Sequence, residues 1–335
     1  MGSRLFRAAC LGLTLGLLGA ANPLAGTAAT YGSHVGRATT SSWVSRMPLP
    51  APIDGLAAVT ALNGLIVTFG GAAVGTDWSQ VLGYSTTLNR WFVGARMPTG
   101  RESAAAALAT DGGIYVVGGW DGSTTLAVNE RFDVSTNSWS SRKPLPAPRQ
   151  GAGAVAARNG LIYVIGGATG NVPSSTVEAY DPVTDTWSEK SPMPLARLGL
   201  ATVLGGDGKI YAMGGSPNAG CDGSRDVQVY DPALDTWSTG NRMRVARMQF
   251  GAVTAANGRA FVIGGIHVVK GKCVWLSSVE SASLGHGSWQ REVSLPVARN
   301  LIAAAAGPDG RIYAIGGNVP GIGTVAENDS LDPAG

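Results

Sequence analysis

The 335-residue chain is predicted to be an all-β, six-bladed β-propeller with four antiparallel strands per blade, and three observations predict it. Six Gly-Gly pairs end six short apolar runs at 70/71, 118/119, 166/167, 214/215, 264/265 and 316/317, spaced 48, 48, 48, 50 and 52 residues apart. Six tryptophans, Trp43, Trp91, Trp139, Trp187, Trp237 and Trp289, recur with the same spacings, each 27 residues before the next pair. Small residues fill the segments ahead of the apolar runs, as in AAAALA after Ser103 and IAAAA after Leu301. Small side chains suit inner strands that converge on a crowded axis, which argues for a propeller over an open solenoid.

The chain opens with Arg4 and Arg7 ahead of AACLGLTLGLLGAA, an apolar run shorter than the roughly 20 residues that span a bilayer. It reads as a secretory signal, with small residues from Ala25 to Ala29 offering the cleavage registers. Cys10 sits at the start of that run, the wrong end for a lipoprotein cysteine, so no lipid anchor is expected. The expected organisation is a signal peptide over 1–29, a short linker over 30–42 and the propeller over 43–335, in a chain that is secreted, periplasmic or extracellular.

Within each repeat an Asn-Gly or Asp-Gly stands just ahead of the apolar run: Asn63-Gly64, Asp111-Gly112, Asn159-Gly160, Asp207-Gly208, Asn257-Gly258 and Asp309-Gly310. Such pairs tolerate the positive φ angles of a two-residue hairpin turn, which would join strand one to strand two. In the third repeat GAGAVAA is then strand one, LIYVIGG strand two, STVEAYDP strand three, and Trp187 opens strand four. Tyr180-Asp181-Pro182, Tyr230-Asp231-Pro232, Phe132-Asp133 and Leu331-Asp332-Pro333 mark the turn out of strand three. No strand-four tryptophan follows Pro333, whereas Trp43 opens a strand four that no earlier strands precede. The N-terminal strand containing Trp43 is therefore expected to close the ring, abolishing the open sheet edges that invite aggregation.

Apolar second strands ending in Gly-Gly, a tyrosine three residues earlier (Tyr115, Tyr163, Tyr211, Tyr313) and a tryptophan opening strand four resemble the kelch repeat over residues 43 to 335. Val67 and Phe261 at the strand-two tyrosine position, and Ala282 at the strand-three tyrosine of repeat five, depart from that pattern. The resemblance implies a kelch-type propeller and, with it, either a binding module or a carbohydrate-active enzyme.

Strands alternate in direction, so the blade-to-blade loops share one face with the loops from strand two to strand three, and propeller function usually sits in loops. The blade-to-blade loops carry Arg101, Arg149, Arg197, Arg247 and Arg299, each 17 residues before a Gly-Gly pair, with Ile53 at the same place in blade one. Two readings stand for them: five guanidinium groups converging on one channel mouth to take an anion, or five repeat arginines bonded within their own blades. The three tryptophans outside the framework, Trp78, Trp120 and Trp275, fall in loops of the same face and read either as ligand platforms or as packing. Asp77, Asp121, Asp222, Arg225 and Asp226 share these loops, with Asp121-Gly122 reading as a turn. Cys221 and Cys273, in the loops of blades four and five, are expected to form a disulfide in an exported protein.

A net charge of +3, from 25 Lys+Arg against 22 Asp+Glu with no basic tract, gives no reason to expect nucleic-acid binding. The mature chain offers no membrane span, and no GxSxG, HExxH or P-loop supports a hydrolase or nucleotide-binding reading. No cofactor or metal is expected. Kelch-type copper-radical oxidases need two histidines at the metal, and only His267 of His34, His267 and His286 falls on the loop face. Kelch-type sialic-acid mutarotases are thought to use a Glu beside a strand-two end, and no Gly-Gly pair here is followed by Glu. The reading is an exported, non-catalytic binding module for a protein or carbohydrate ligand, through the five arginines and Trp78, Trp120 and Trp275. The alternative is a carbohydrate-active enzyme such as a sialic-acid mutarotase or epimerase.

Overall fold

The computed structural model describes residues 42–72 and 78–334, arranged as six four-stranded antiparallel sheets around one axis. The expected signal peptide, all but the last residue of the linker, and Asp77 lie outside the described residues. Blade three shows the unit: Gly153–Ala156, Ile162–Ile165, Val177–Asp181 and Thr186–Lys190, each hydrogen-bonded to the strand before it. Blade six takes Ala303–Ala306, Ile312–Ile315 and Asn328–Leu331 from the end of the chain and its outer strand from the beginning. That outer strand, Val44–Ser45, pairs Val44 with Ser330 and Ser45 with Asp329. Trp43 stands one residue ahead of it and not within it.

The hairpin between strands one and two is longer than the Asn-Gly and Asp-Gly pairs predict. The Ala61 amide bonds to the Leu65 carbonyl and the Gly64 amide returns to the Ala61 carbonyl, leaving a three-residue loop. Only its glycine has positive φ, so the turn is a type I turn followed by a left-handed residue, and the Asn or Asp side chain caps it instead of adopting that backbone. The same pair of bonds recurs at Ala109, Ala157, Gly205, Ala255 and Gly307.

Second strands such as Ile114–Val117 and Ile162–Ile165 are buried at every position, because a neighbouring blade covers each face of the sheet. This is why they read as unbroken apolar runs with no alternation. The inner strands Ala105–Leu108 and Ala303–Ala306 alternate between buried and half-buried positions, because every second residue faces the axial lumen. Ala58, Ala106, Ala154 and Ala304 line a lumen of about 310 Å³.

The Gly-Gly pairs are the joints between blades. A Cβ on Gly70 would stand 2.0 Å from the Arg101 carbonyl oxygen, and one on Gly316 would stand 2.4 Å from that of Ile53. The second glycine of each pair donates its amide to that same carbonyl, from Gly71 to Arg101 around to Gly317 and Ile53. Each framework tryptophan reaches backward in the same way. Trp91, Trp139, Trp187, Trp237 and Trp289 donate Nε1 to Met47, Ala95, Lys143, Ser191 and Asn241 carbonyls at 2.8 Å, and Trp43 donates to Val293 at 2.9 Å.

Candidate functional site

The five arginines do not form an anion-binding ring. All are at most 3% exposed, and each donates within its own blade. Arg101 pairs with Glu130 at 2.6 Å, Arg149 with Glu178 at 2.7 Å, Arg247 with Glu280 at 2.7 Å and Arg299 with Asp329 at 2.8 Å. A second donor goes to a strand-two carbonyl, as from Arg101 to Val116 and from Arg299 to Ala314. A guanidinium taken out of water needs a carboxylate and further acceptors, and blades two, three, five and six supply a carboxylate and at least one carbonyl to theirs. Burial pushes the Glu178 carboxyl above its usual range despite Arg149 beside it. Blade four differs: Arg197 donates to the Gly214 and Asp226 carbonyls, and Gln228 stands where blades two, three, five and six have an acid.

What lines the mouth is the residue two places after each arginine. Gly55, Ser103, Gly151, Gly199, Gln249 and Leu301 form a closed ring of backbone hydrogen bonds around the axis. Ser103 donates to Gly55, Gly151 to Ser103, Gly199 to Gly151, Gln249 to Gly199, Leu301 to Gln249 and Gly55 to Leu301, over 2.7 to 3.1 Å. All six have positive φ, between 52° and 64°. Glycine takes that conformation freely, whereas Ser103, Gln249 and Leu301 hold it at a cost of about 1–2 kcal/mol each. They are half-exposed and line a cavity of about 100 Å³ at the axis. A buried polar tier lies just outside them, with Asp54, Glu102, Gln150 and Asn300.

The three loop tryptophans divide between two places. Trp78 and Trp120 stack with ring centroids 5.6 Å apart over blades one and two. Gly122, at φ 99°, lies so close to the Trp78 ring that a Cβ would stand 3.2 Å from it. Asp121 accepts from the Ser123 and Thr124 amides and hydroxyls, which holds its carboxyl below the usual range and makes it a turn former. Trp275 belongs to blade five, where its Nε1 donates to Asn300 at 3.0 Å, and Asn300 Nδ2 donates to Gln249 Oε1 at 2.8 Å. A short relay thus runs from Trp275 to the mouth.

The sulfurs of Cys221 and Cys273 are bonded, with Cα atoms 5.9 Å apart, and both half-cystines pack with Trp275 against Leu198, Met248 and Ile266. Cross-linking a 52-residue separation is worth about 4 kcal/mol on chain entropy. His267 lies in the same hairpin as Cys273, and burial pushes its imidazole below the usual value. Among the described residues, no cluster of three or more His, Cys, Asp or Glu side chains is placed to hold a metal, and no helix is long and apolar enough to cross a membrane.

Reading the arginines as the mouth residues passed over Ser103 and Gln249, which line the axial cavity. The signal was present at the same six-fold register, where positions 55, 151 and 199 hold glycine and 103, 249 and 301 hold larger residues.

The family profile described as KLHDC2/KLHL20/DRC7 Kelch-repeats domain matches residues 27–215, and that of the Kelch motif matches residues 197–244. Comparison with curated protein sequences finds no match. The solved structure described as that of YjhT superposes with a TM-score of 0.71 at 20% identity, over 85% of this chain and 96% of that one, a likeness of fold.

Proposed function

The chain belongs to the kelch-repeat β-propeller family, and we propose that it is an exported, non-catalytic binding module whose ligand seats on the channel mouth of the loop face. The observation that carries this reading is the strained collar. Three of six equivalent positions hold glycine, and the other three hold side chains in a backbone conformation that glycine would relieve. Strain of this kind persists where a side chain is needed for a purpose other than folding. The Ser103 hydroxyl and the Gln249 amide are uncharged donors and acceptors, and the half-buried Trp78 and Trp275 offer apolar rings on the same loop face, whereas Trp120 is buried beneath Trp78. With four of the five arginines paired to carboxylates inside their blades and Arg197 buried against two carbonyls, the favoured ligand is an uncharged glycan, whose hydroxyls suit the amide and hydroxyl and whose ring faces suit indole.

The test is a glycan array probed with residues 30–335 and with the Ser103→Gly and Gln249→Gly variants. The expected result is binding of neutral sugars by the parent, loss of binding in both variants, and melting temperatures equal to or above the parent. Binding that survives both substitutions, or a preference for sialylated and uronic-acid sugars, would sink this reading.

One observation favours the enzyme alternative. Asp54 and Glu102 put two carboxylates beside the collar on adjacent blades, and Glu102 Oε2 stands 3.6 Å from where a Gly55 Cβ would be. An NMR assay of anomer exchange on any sugar the array identifies, with Glu102→Gln as control, separates a mutarotase or epimerase from a lectin.

A further inference from the structure

On the face opposite the collar, three of the six seams are locked by a three-ring stack. The strand-two tyrosine of one blade meets the strand-three aromatic of the next, which rests on that blade's framework tryptophan. Between blades two and three this is Tyr115, Tyr180 and Trp187, with centroids 5.4 and 4.9 Å apart. Between blades three and four it is Tyr163, Tyr230 and Trp237, at 5.5 and 5.1 Å. Between blades six and one it is Tyr313, Tyr84 and Trp91, at 5.6 and 4.9 Å.

Between blades four and five the outer two rings, Tyr211 and Trp289, are both present, and the middle position is Ala282. The turn from Ala282 to Trp289 has the same length as that from Tyr230 to Trp237, so register is kept and only the ring is lost. The acid that receives the middle phenol, Asp185 or Asp235, is replaced by Gly287. Leu284 packs into the space, leaving Tyr211, Ala282 and Trp289 at most 3% exposed, and a cleft of about 420 Å³ opens beside them, past the exposed His286. The outer wall of the cleft is polar, with Asp207, Lys209, Ser238 and Asn241.

We propose that the cleft between blades four and five binds a free single-ring aromatic molecule, a phenol above all, in the place that a strand-three tyrosine holds in blades one, three and four. The ring displaces the Leu284 side chain to enter between Tyr211 and Trp289, and its hydroxyl points toward the mouth of the cleft, where Asn241 and the 283–287 turn offer polar groups. The site shares no residue with the collar.

The probe is p-cresol, the tyrosine side chain as a free molecule, titrated into residues 30–335. The readouts are melting temperature and the NMR signals of Tyr211 and the Trp289 indole N–H. The expected result is a saturable rise in melting temperature, as for any ligand that binds only the folded state, with shifts of both signals. Ala282→Tyr and Ala282→Phe should melt higher without ligand and lose the response to p-cresol. Absence of saturable binding overturns the proposal, as does an undiminished response in both variants. Should neither variant fold, the parent decides: p-cresol binding that leaves the Tyr211 and Trp289 signals unmoved also overturns it.

Discussion

The seam between blades three and four and the seam between blades four and five use the same strand register and are held in different ways. At the first, Tyr230 is buried between Tyr163 and Trp237, its hydroxyl donates to Asp235, and the same Asp235 oxygen accepts the Ser191 amide from the neighbouring blade. At the second, Ala282 and Gly287 remove the ring and the acid, and Asn241 Nδ2 donating to the Gly287 carbonyl at 3.0 Å is the substitute. The blade-four loop face then carries the Cys221–Cys273 bond across that same seam. A repeat protein tolerates a weakened joint when a covalent cross-link or a neighbour holds the same two blades together.

Removing residues 30–47 should have the largest effect, because it takes away Val44–Ser45 and Trp43 and leaves the Asn328–Leu331 edge unpaired. The expected outcome is a melting temperature below that of any point variant described here, measured by circular dichroism. An unchanged value would show that closure does not govern stability. Next, Tyr230→Ala should cost about 3–5 kcal/mol as a buried ring lost from a filled seam. Leu284→Ala, at the seam already open, should cost about half as much in chemical denaturation, and equal costs would break the comparison.

The arginines sharpen the comparison further. Arg247→Ala leaves Glu280, which is 0% exposed, without its cation and should cost about 3–5 kcal/mol. Arg197→Ala uncovers no buried carboxylate and should cost less. Gln228→Glu, which restores to blade four the acid that blades two, three and five possess, should raise stability by about 1 kcal/mol, read from the denaturation midpoint. The smallest effect is one of pH. The Tyr180 and Tyr230 hydrogen bonds hold Asp185 and Asp235 below the ordinary carboxylate value, so their clasps stabilise the fold above about pH 4 and are lost as pH falls through the depressed values. Asn89 and Asn137 make the same inter-blade bonds and do not titrate. Asp185→Asn with Asp235→Asn should therefore flatten the acid limb of the stability curve and leave the neutral value nearly unchanged. On the alkaline side burial pushes Tyr115 up to about 12, so its contribution is complete below pH 10 and fades above it.

The blades, their order and the N-terminal closure could be read from the chain because glycine pairs and tryptophans serve the same joint six times, and chance does not reproduce a joint. The hairpin was misjudged by one residue, since Asn-Gly suits a two-residue turn as well as a three-residue loop and only the Ala61–Leu65 pairing distinguishes them. The arginines were harder. A buried guanidinium and a ligand-binding one look alike in sequence, and Glu130, Glu178, Glu280 and Asp329 lie 29 to 33 residues away from their partners.

Composition and periodicity thus determined the class of fold, the number of blades and which loops share a face, because each depends on local chain geometry repeated at fixed spacing. Which charges are consumed inside the blades, that Ser103, Gln249 and Leu301 meet in one strained ring, and that the Ala282 seam leaves a cleft were decided by tertiary structure alone. Those outcomes depend on which residues from different blades become neighbours across the axis or a seam, and the energy of a buried charge or a missing ring is set by those neighbours.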